Sequence, residues 1–99
     1  MHVAIARVTI HLAGNQSLKG KRQVLQSLTS RLRQRFNIAA AEVAAQDAWQ
    51  VATLGLSCVS NDASHARTTL ARALAFREQE EVGYGEVVDC QRDLLSLSA

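Results

Sequence analysis

The sequence contains no proline, and aromatic residues make up only 4% of its 99 positions. Because proline-rich and low-complexity stretches usually mark linkers, their absence predicts a single domain over residues 1–99. A chain of this length can bury a hydrophobic core without disulfides or a structural metal. The shortage of aromatic side chains means that this core must consist mainly of Ala, Val and Leu.

Cysteine is also scarce, and long hydrophobic runs are missing. Cys58 and Cys90 show no C-x-x-C spacing, so we expect two reduced, buried thiols. His2, His11 and His65 lack ligand spacing, and we therefore expect no metal and no cofactor. No stretch approaches the roughly 18 apolar residues of a membrane span. Since the N-terminus also lacks a signal-peptide pattern, we expect a cytoplasmic protein that does not contact a membrane.

Acidic residues are absent from the first 36 positions. That segment carries seven cations, whereas residues 37–99 carry four Arg against nine acids, although the net charge of the chain is only +2. Segregated charge of this kind indicates a basic surface that meets a polyanion, of which nucleic acid is the commonest. The seven cations are Arg7, Lys19, Lys21, Arg22, Arg31, Arg33 and Arg35.

Apolar periodicity predicts four strands and two helices. Alternation over VAIARVTIHL places Ala4, Ala6, Val8, Ile10 and Leu12 on one buried face of the first strand. The order β-α-β-β-α-β predicts an α+β, ferredoxin-like fold, a four-stranded antiparallel sheet with two helices on one face. The predicted strands are 3–12, 38–45, 49–59 and 87–97, the predicted helices are 18–36 and 62–79, and Gly83-Tyr84-Gly85 breaks the chain before the last strand.

The first helix has a clear start and a clear buried stripe. Ser17 is a good N-cap, and Asn37 fits the left-handed conformation that often follows a helix. Lys21 falls within the apolar stripe, although it is also one of three cations in the first turn. The residues at three- and four-residue spacing are Leu18, Lys21, Val24, Leu25, Leu28, Leu32 and Phe36.

The sheet face away from the helices is predicted to be open and apolar. Val3, Thr53 and Val59 belong to it, and such an area is unfavourable in water. We therefore expect a homodimer that forms through this face. The interface residues that we expect are Ile5, Arg7, Trp49 and Val51.

Several sequence segments are similar to those of a known family. HLAGNQSLKGKRQVLQSLTSRLRQRFN, AEVAAQDAWQ and VSND are similar to the YlxP-like family, small bacterial proteins of unknown function. The resemblance covers essentially the whole chain and implies a ferredoxin-like fold. It also implies a gene neighbourhood with translation initiation and ribosome maturation factors, but no catalytic residues. The family usually has Glu where this chain has Gly20, so the capping box with Ser17 is missing here.

Cations in the first turn of a helix oppose the backbone dipole, so they need an explanation. One hypothesis is that Ser17, Lys19, Lys21 and Arg22 converge with the free amides on a phosphate. The alternative is that these are ordinary solvated side chains. The full footprint predicted for RNA or a ribosomal subunit is Ser17, Lys19, Lys21, Arg22, Arg31, Arg33 and Arg35.

These features favour a non-enzymatic accessory protein that binds RNA or a ribosomal particle through backbone phosphates. RRM domains share the strand order, but they stack bases on aromatic residues that the central strands here lack. The alternative is a protein-interaction module that uses the open sheet face. A more remote alternative is an acylphosphatase-like enzyme, although AGNQSLKGKR does not match a Gly-rich phosphate cradle with an Arg. We predict no catalytic residues.

Overall fold

A computed structural model describes residues 1–79 and 85–98. The chain has the predicted element order and forms one antiparallel sheet with two helices, which is the α+β ferredoxin-like fold. The elements are β1 (His2–His11), α1 (Leu18–Arg35), β2 (Ala39–Ala44), β3 (Val51–Ser60), α2 (Ala63–Gln79) and β4 (Glu86–Ser96), and the strand order in the sheet is β2-β3-β1-β4.

The period-2 pattern of the central strands is confirmed. Ala4, Ala6, Val8 and Ile10 of β1 are all buried, as is Leu12 just beyond it. Residues opposite them in β3 are buried as well, because directly paired residues point to the same face of a sheet. The inner face of β3 consists of Ala52, Leu54, Leu56 and Cys58.

Both helices cover this inner face. Helix α2 packs on β1 and β3, while α1 packs on β2 and on α2. Leu25, Leu28 and Leu32 of α1 are buried at the three- and four-residue spacing that the sequence shows. Helix α2 begins at a cap in which Asp62 Oδ1 accepts a hydrogen bond from His65 N at 3.2 Å. No helix within residues 1–79 or 85–98 is long and apolar enough to cross a membrane.

Three local predictions are wrong. Strand β3 begins at Val51 and not at Trp49, which lies in the preceding loop. Helix α1 ends at Arg35 with an extended Phe36 as its C-cap, whose N–H donates to Leu32 O, and Asn37 does not adopt the left-handed conformation. Cys90 is exposed, since it lies on the edge strand β4, where α2 gives little cover. Of the predicted break at 83–85, only Gly85 is among the described residues.

Candidate functional site

The start of α1 is capped as predicted. Ser17 Oγ accepts a hydrogen bond from Gly20 N at 2.9 Å, so this hydroxyl completes the helix. The side chain of Asn15 donates to Ser17 O at 2.9 Å and also to Trp49 O. A Cβ atom on Gly20 would lie 2.6 Å from Asn15 Oδ1. A larger residue at this position would therefore require the Asn15 side chain to move.

Lys21 points into the protein and not towards solvent. Its relative exposure is 1%, and its ammonium group donates to Ala45 O at 2.6 Å and to Ala48 O at 2.8 Å. The same nitrogen lies 2.8 Å from Glu42 Oε2, whose side chain is 23% exposed. Two backbone carbonyls thus accept hydrogen bonds from the ammonium group, and the carboxylate balances its charge as an ion-pair partner.

Glu42 meets Lys21 because β2 presents it on the face that α1 covers. It lies opposite the buried Leu54, and the register then shifts between Glu42 and Ala44. Its Oε2 atom is buried and receives no hydrogen bond of ordinary geometry from the described residues, so the nearby ammonium compensates its charge. A buried carboxylate without such compensation would be strongly unfavourable.

The prediction that Lys21 belongs to the anion-binding footprint is therefore wrong. A phosphate could reach its ammonium only by displacing two carbonyls and a carboxylate from a buried site. The position of Lys21 in the apolar stripe of α1 had correctly indicated that this residue is buried. Sequence reasoning missed Glu42 as the partner, because the two residues are brought together only when β2 packs against α1.

The cluster around Lys21 joins two loops at one end of the sheet. Leu12 N donates to Gln50 O at 2.7 Å, and Asn15 reaches Trp49 O from the same side. Ala45 has a φ of 60°, a left-handed conformation that is costly for a residue with a Cβ atom. The hydrogen bond from Lys21 to the Ala45 carbonyl stabilises the turn in which this conformation occurs.

The side chains of Lys19 and Arg22 point towards solvent. Both side chains are exposed, and neither makes a hydrogen bond or an ion pair within residues 1–79 and 85–98. The cationic first turn thus contains one inward ammonium, which has its own acceptors, and two outward cations. Only the outward pair remains available for an external anion.

The cations in the second half of α1 are exposed but take part in contacts within the chain. Arg33 Nη2 donates to Ala40 O in β2, and the guanidinium of Arg35 lies 5.0 Å from the centre of the Phe76 ring. Arg31 also interacts within the chain. The contacts of Arg33 and Arg35 leave their two positive charges in place, because a backbone carbonyl and an aromatic ring carry no compensating negative charge. In this respect they differ from Lys21.

The outer sheet face carries three of the four predicted interface residues. Ile5 and Arg7 lie near the middle of β1, where Arg7 Nη2 donates to Gln91 Oε1, and Val51 lies opposite His11. Trp49 is exposed but lies outside the sheet, in the loop before β3. The structure brings Ile5, Arg7 and Val51 onto one face and places Trp49 beyond its end.

Comparison with known proteins identifies the family. The family model described as "Protein of unknown function (DUF503)" matches residues 3–92. The chain belongs to this family. The protein named "Uncharacterized protein YlxP" of Bacillus subtilis (strain 168) is 38% identical over 60 residues, which is 61% of this chain and 65% of that protein. The resemblance to the YlxP-like family, inferred from short sequence segments, is therefore confirmed.

The DUF503 match spans β1 to most of β4 and so includes Lys21, Glu42 and the outward cations of α1. Neither the family description nor the name of the relative assigns a reaction or a ligand. Within the described part of the chain, no three His, Cys, Asp or Glu side chains gather in a way that could hold a metal ion.

Proposed function

We propose that this DUF503 protein binds RNA, alone or in a ribosomal particle, through backbone phosphates on the outer side of α1. The observation that carries the proposal is that α1 has no acidic residue and exposes cations along one line. We call Lys19, Arg22 and Arg33 the outer basic stripe. It is smaller than the footprint predicted from sequence, because Lys21 is buried, Ser17 caps the helix, and Arg31 and Arg35 lie on another side of α1 at about 3.6 residues per turn.

The spacing of the outer basic stripe fits an extended polyanion. Arg22 and Arg33 are eleven residues apart, which is about three helical turns and about 16 Å along the axis. Lys19 lies on the same side one turn earlier. A single small anion cannot contact both ends of such a line, whereas successive phosphates of one strand can. The residues between the cations on this side, Gln23, Gln26 and Ser30, are neutral hydrogen-bonding side chains without an opposing charge.

The proposed binding has little sequence preference. Phosphate contacts position a protein on nucleic acid, but they carry no base information. The central strands β1 and β3 contain no Phe, Tyr or Trp, so they offer no surface for base stacking. We therefore expect similar affinities for RNAs of different sequence and equal length.

The salt dependence of RNA binding tests this proposal. If the three stripe cations each neutralise one phosphate, log K against log salt should have a slope of about −2 for single strands and nearer −3 for duplexes. Fluorescence anisotropy with a labelled ribosomal RNA fragment measures this slope. Arg22→Gln should reduce its magnitude by about 0.7 to 0.9.

Arg72→Gln is the matched control, since it removes the same charge from an exposed position on α2. It should leave the slope unchanged if the stripe carries the contacts. Equal slopes for the wild type and Arg22→Gln, or equal losses in both variants, would show that phosphates do not bind at the outer basic stripe.

A second candidate function is interaction with another protein through the outer sheet face, and the partner that we propose is a second copy of this chain. It is favoured by an apolar row across three adjacent strands, in which Val3 lies between Val59 and Leu95. Val59 and Leu95 are 56% and 55% exposed. An exposed apolar row of this kind is typical of an interface between copies.

Molar mass in solution tests this second candidate. Val59→Lys should convert a dimer into a monomer in light scattering after size exclusion, because it places a charge within the proposed contact. Val88→Lys provides the control, since Val88 is 59% exposed on β4 but lies outside the row. A wild-type chain that is monomeric at high concentration would refute this candidate without affecting the RNA proposal.

A further inference from the structure

A cleft lies between α2 and the edge strand β4. Its volume is about 570 Å³, within the range of small-molecule sites. It exists because α2 packs mainly on β1 and β3, which leaves part of the inner face of β4 uncovered. The outer basic stripe belongs to α1, and none of its residues lines this cleft.

The floor of the cleft is apolar. Ala4 and Leu70 are buried beneath it, and Leu94 is half-buried beside them. Ala71 completes the apolar lining from α2. These side chains offer a surface for an apolar body but no hydrogen bonds to a polar one.

Two arginines line the cleft from its two walls. Arg67 belongs to α2, and Arg92 lies on β4 opposite Ala6, on the side of the sheet that the helices cover. Both are exposed, and neither has a hydrogen bond or an ion pair with any residue that the structure describes. Thr68 adds a hydroxyl group to the same lining.

Asp93 is the carboxylate among the described lining residues, and it does not neutralise both arginines. It lies opposite Ile5, on the outer side of the sheet, and its Oδ1 accepts a hydrogen bond from Leu94 N at 2.7 Å. Two guanidinium groups against one carboxylate leave a net positive charge around the cleft. Guanidinium groups match carboxylate and phosphate oxygens in geometry and charge.

We propose that this cleft binds a small organic anion. A carboxylate or phosphate group lies between Arg67 and Arg92, and an apolar body contacts Leu70 and Leu94. The site is independent of the RNA proposal, because it uses a different helix, different cations and a ligand with an apolar part.

Amide chemical shifts in ¹⁵N-labelled protein test this site with three probes: phenyl phosphate, phenol and inorganic phosphate. Phenyl phosphate should shift the amides of Ala71 and Leu94 saturably, because it alone combines both halves of the proposed ligand. Phenol and inorganic phosphate should each bind about tenfold more weakly or worse, since each lacks one half.

Arg67→Gln and Arg92→Gln should each weaken phenyl phosphate binding about tenfold, whereas Arg72→Gln, outside the cleft, should leave it unchanged. An unchanged amide spectrum away from the cleft shows that each variant is folded. Equal binding of phenol and phenyl phosphate, or full binding in both cleft variants, would overturn the proposal.

An RNA oligonucleotide is the remaining titrant. If RNA shifts the amide resonances of α1 but not those of Ala71 and Leu94, the result supports two separate sites. If RNA shifts the cleft amides and phenyl phosphate does not, the small-anion proposal is wrong, and Arg67 and Arg92 belong to the RNA surface.

Discussion

Replacing Lys21 by Met is the most informative perturbation of this fold. Met keeps most of the length and the apolar stem of the side chain, but it removes the ammonium group. The carbonyls of Ala45 and Ala48 then lose a charged donor, and the buried Oε2 of Glu42 loses its compensating charge. We expect a large loss of stability without a loss of apolar packing.

The magnitude follows from the burial of the cluster. Removing one member of a buried ion pair typically costs about 3 to 5 kcal/mol, because the other charge stays buried. Glu42 is 23% exposed and can gain some water, so we expect the lower half of that range, about 3 to 4 kcal/mol. For a domain of this size such a loss lowers the melting temperature by more than about 12 °C.

Urea unfolding followed by circular dichroism measures this loss. The control is Lys19→Met, which makes the same chemical change two residues earlier, at an exposed position with no hydrogen bond or ion pair in the described structure, and it should cost under about 0.5 kcal/mol. Lys21→Met combined with Glu42→Leu should be more stable than Lys21→Met alone, because no charge is left buried. A Lys21→Met protein as stable as the Lys19→Met protein would refute the buried-cluster account.

Two further stability predictions concern the ends of the loops around Lys21. Ser17→Ala removes the acceptor for Gly20 N and should cost about 1 kcal/mol, measured as a fall of about 4 to 8 °C in melting temperature; an unchanged melting temperature would show that the cap contributes nothing. Ala45→Gly relieves the left-handed φ of 60° and should stabilise the fold by up to about 1 kcal/mol in urea unfolding, the relief exceeding the added chain entropy; a clear destabilisation would contradict this reading of Ala45.

The fold was predictable because its signals are local. Alternation in VAIARVTIHL defines the buried face of β1, and Ser17 marks the start of α1 at the observed residue. The errors occur where the local conformation depends on contacts between residues that are far apart in the sequence. Trp49 looks like the start of a strand, but pairing with β1 begins only at Val51, and the Trp49 carbonyl accepts a hydrogen bond from the side chain of Asn15 instead of from a strand.

The candidate site was only partly predictable for the same reason. Charge along the chain correctly indicated that α1 is basic, but it could not separate inward from outward side chains. The periodicity placed Lys21 in the buried stripe. Lys21 is buried despite its charge because Glu42 in β2 supplies a compensating carboxylate. The exposure of Cys90 was missed because the sequence does not show how far α2 extends over the edge strand.

Co-sedimentation with ribosomal subunits across a salt series is the most direct test of the division between inward and outward cations. The variant is Arg22→Gln, and the charge-matched control is Arg72→Gln on α2, outside the cleft. We predict that the α1 variant is lost from the particle at lower salt than the wild type, while the α2 control follows the wild type. If the α1 variant stays bound at every salt concentration at which the wild type does, the outer side of α1 is not a phosphate-binding surface.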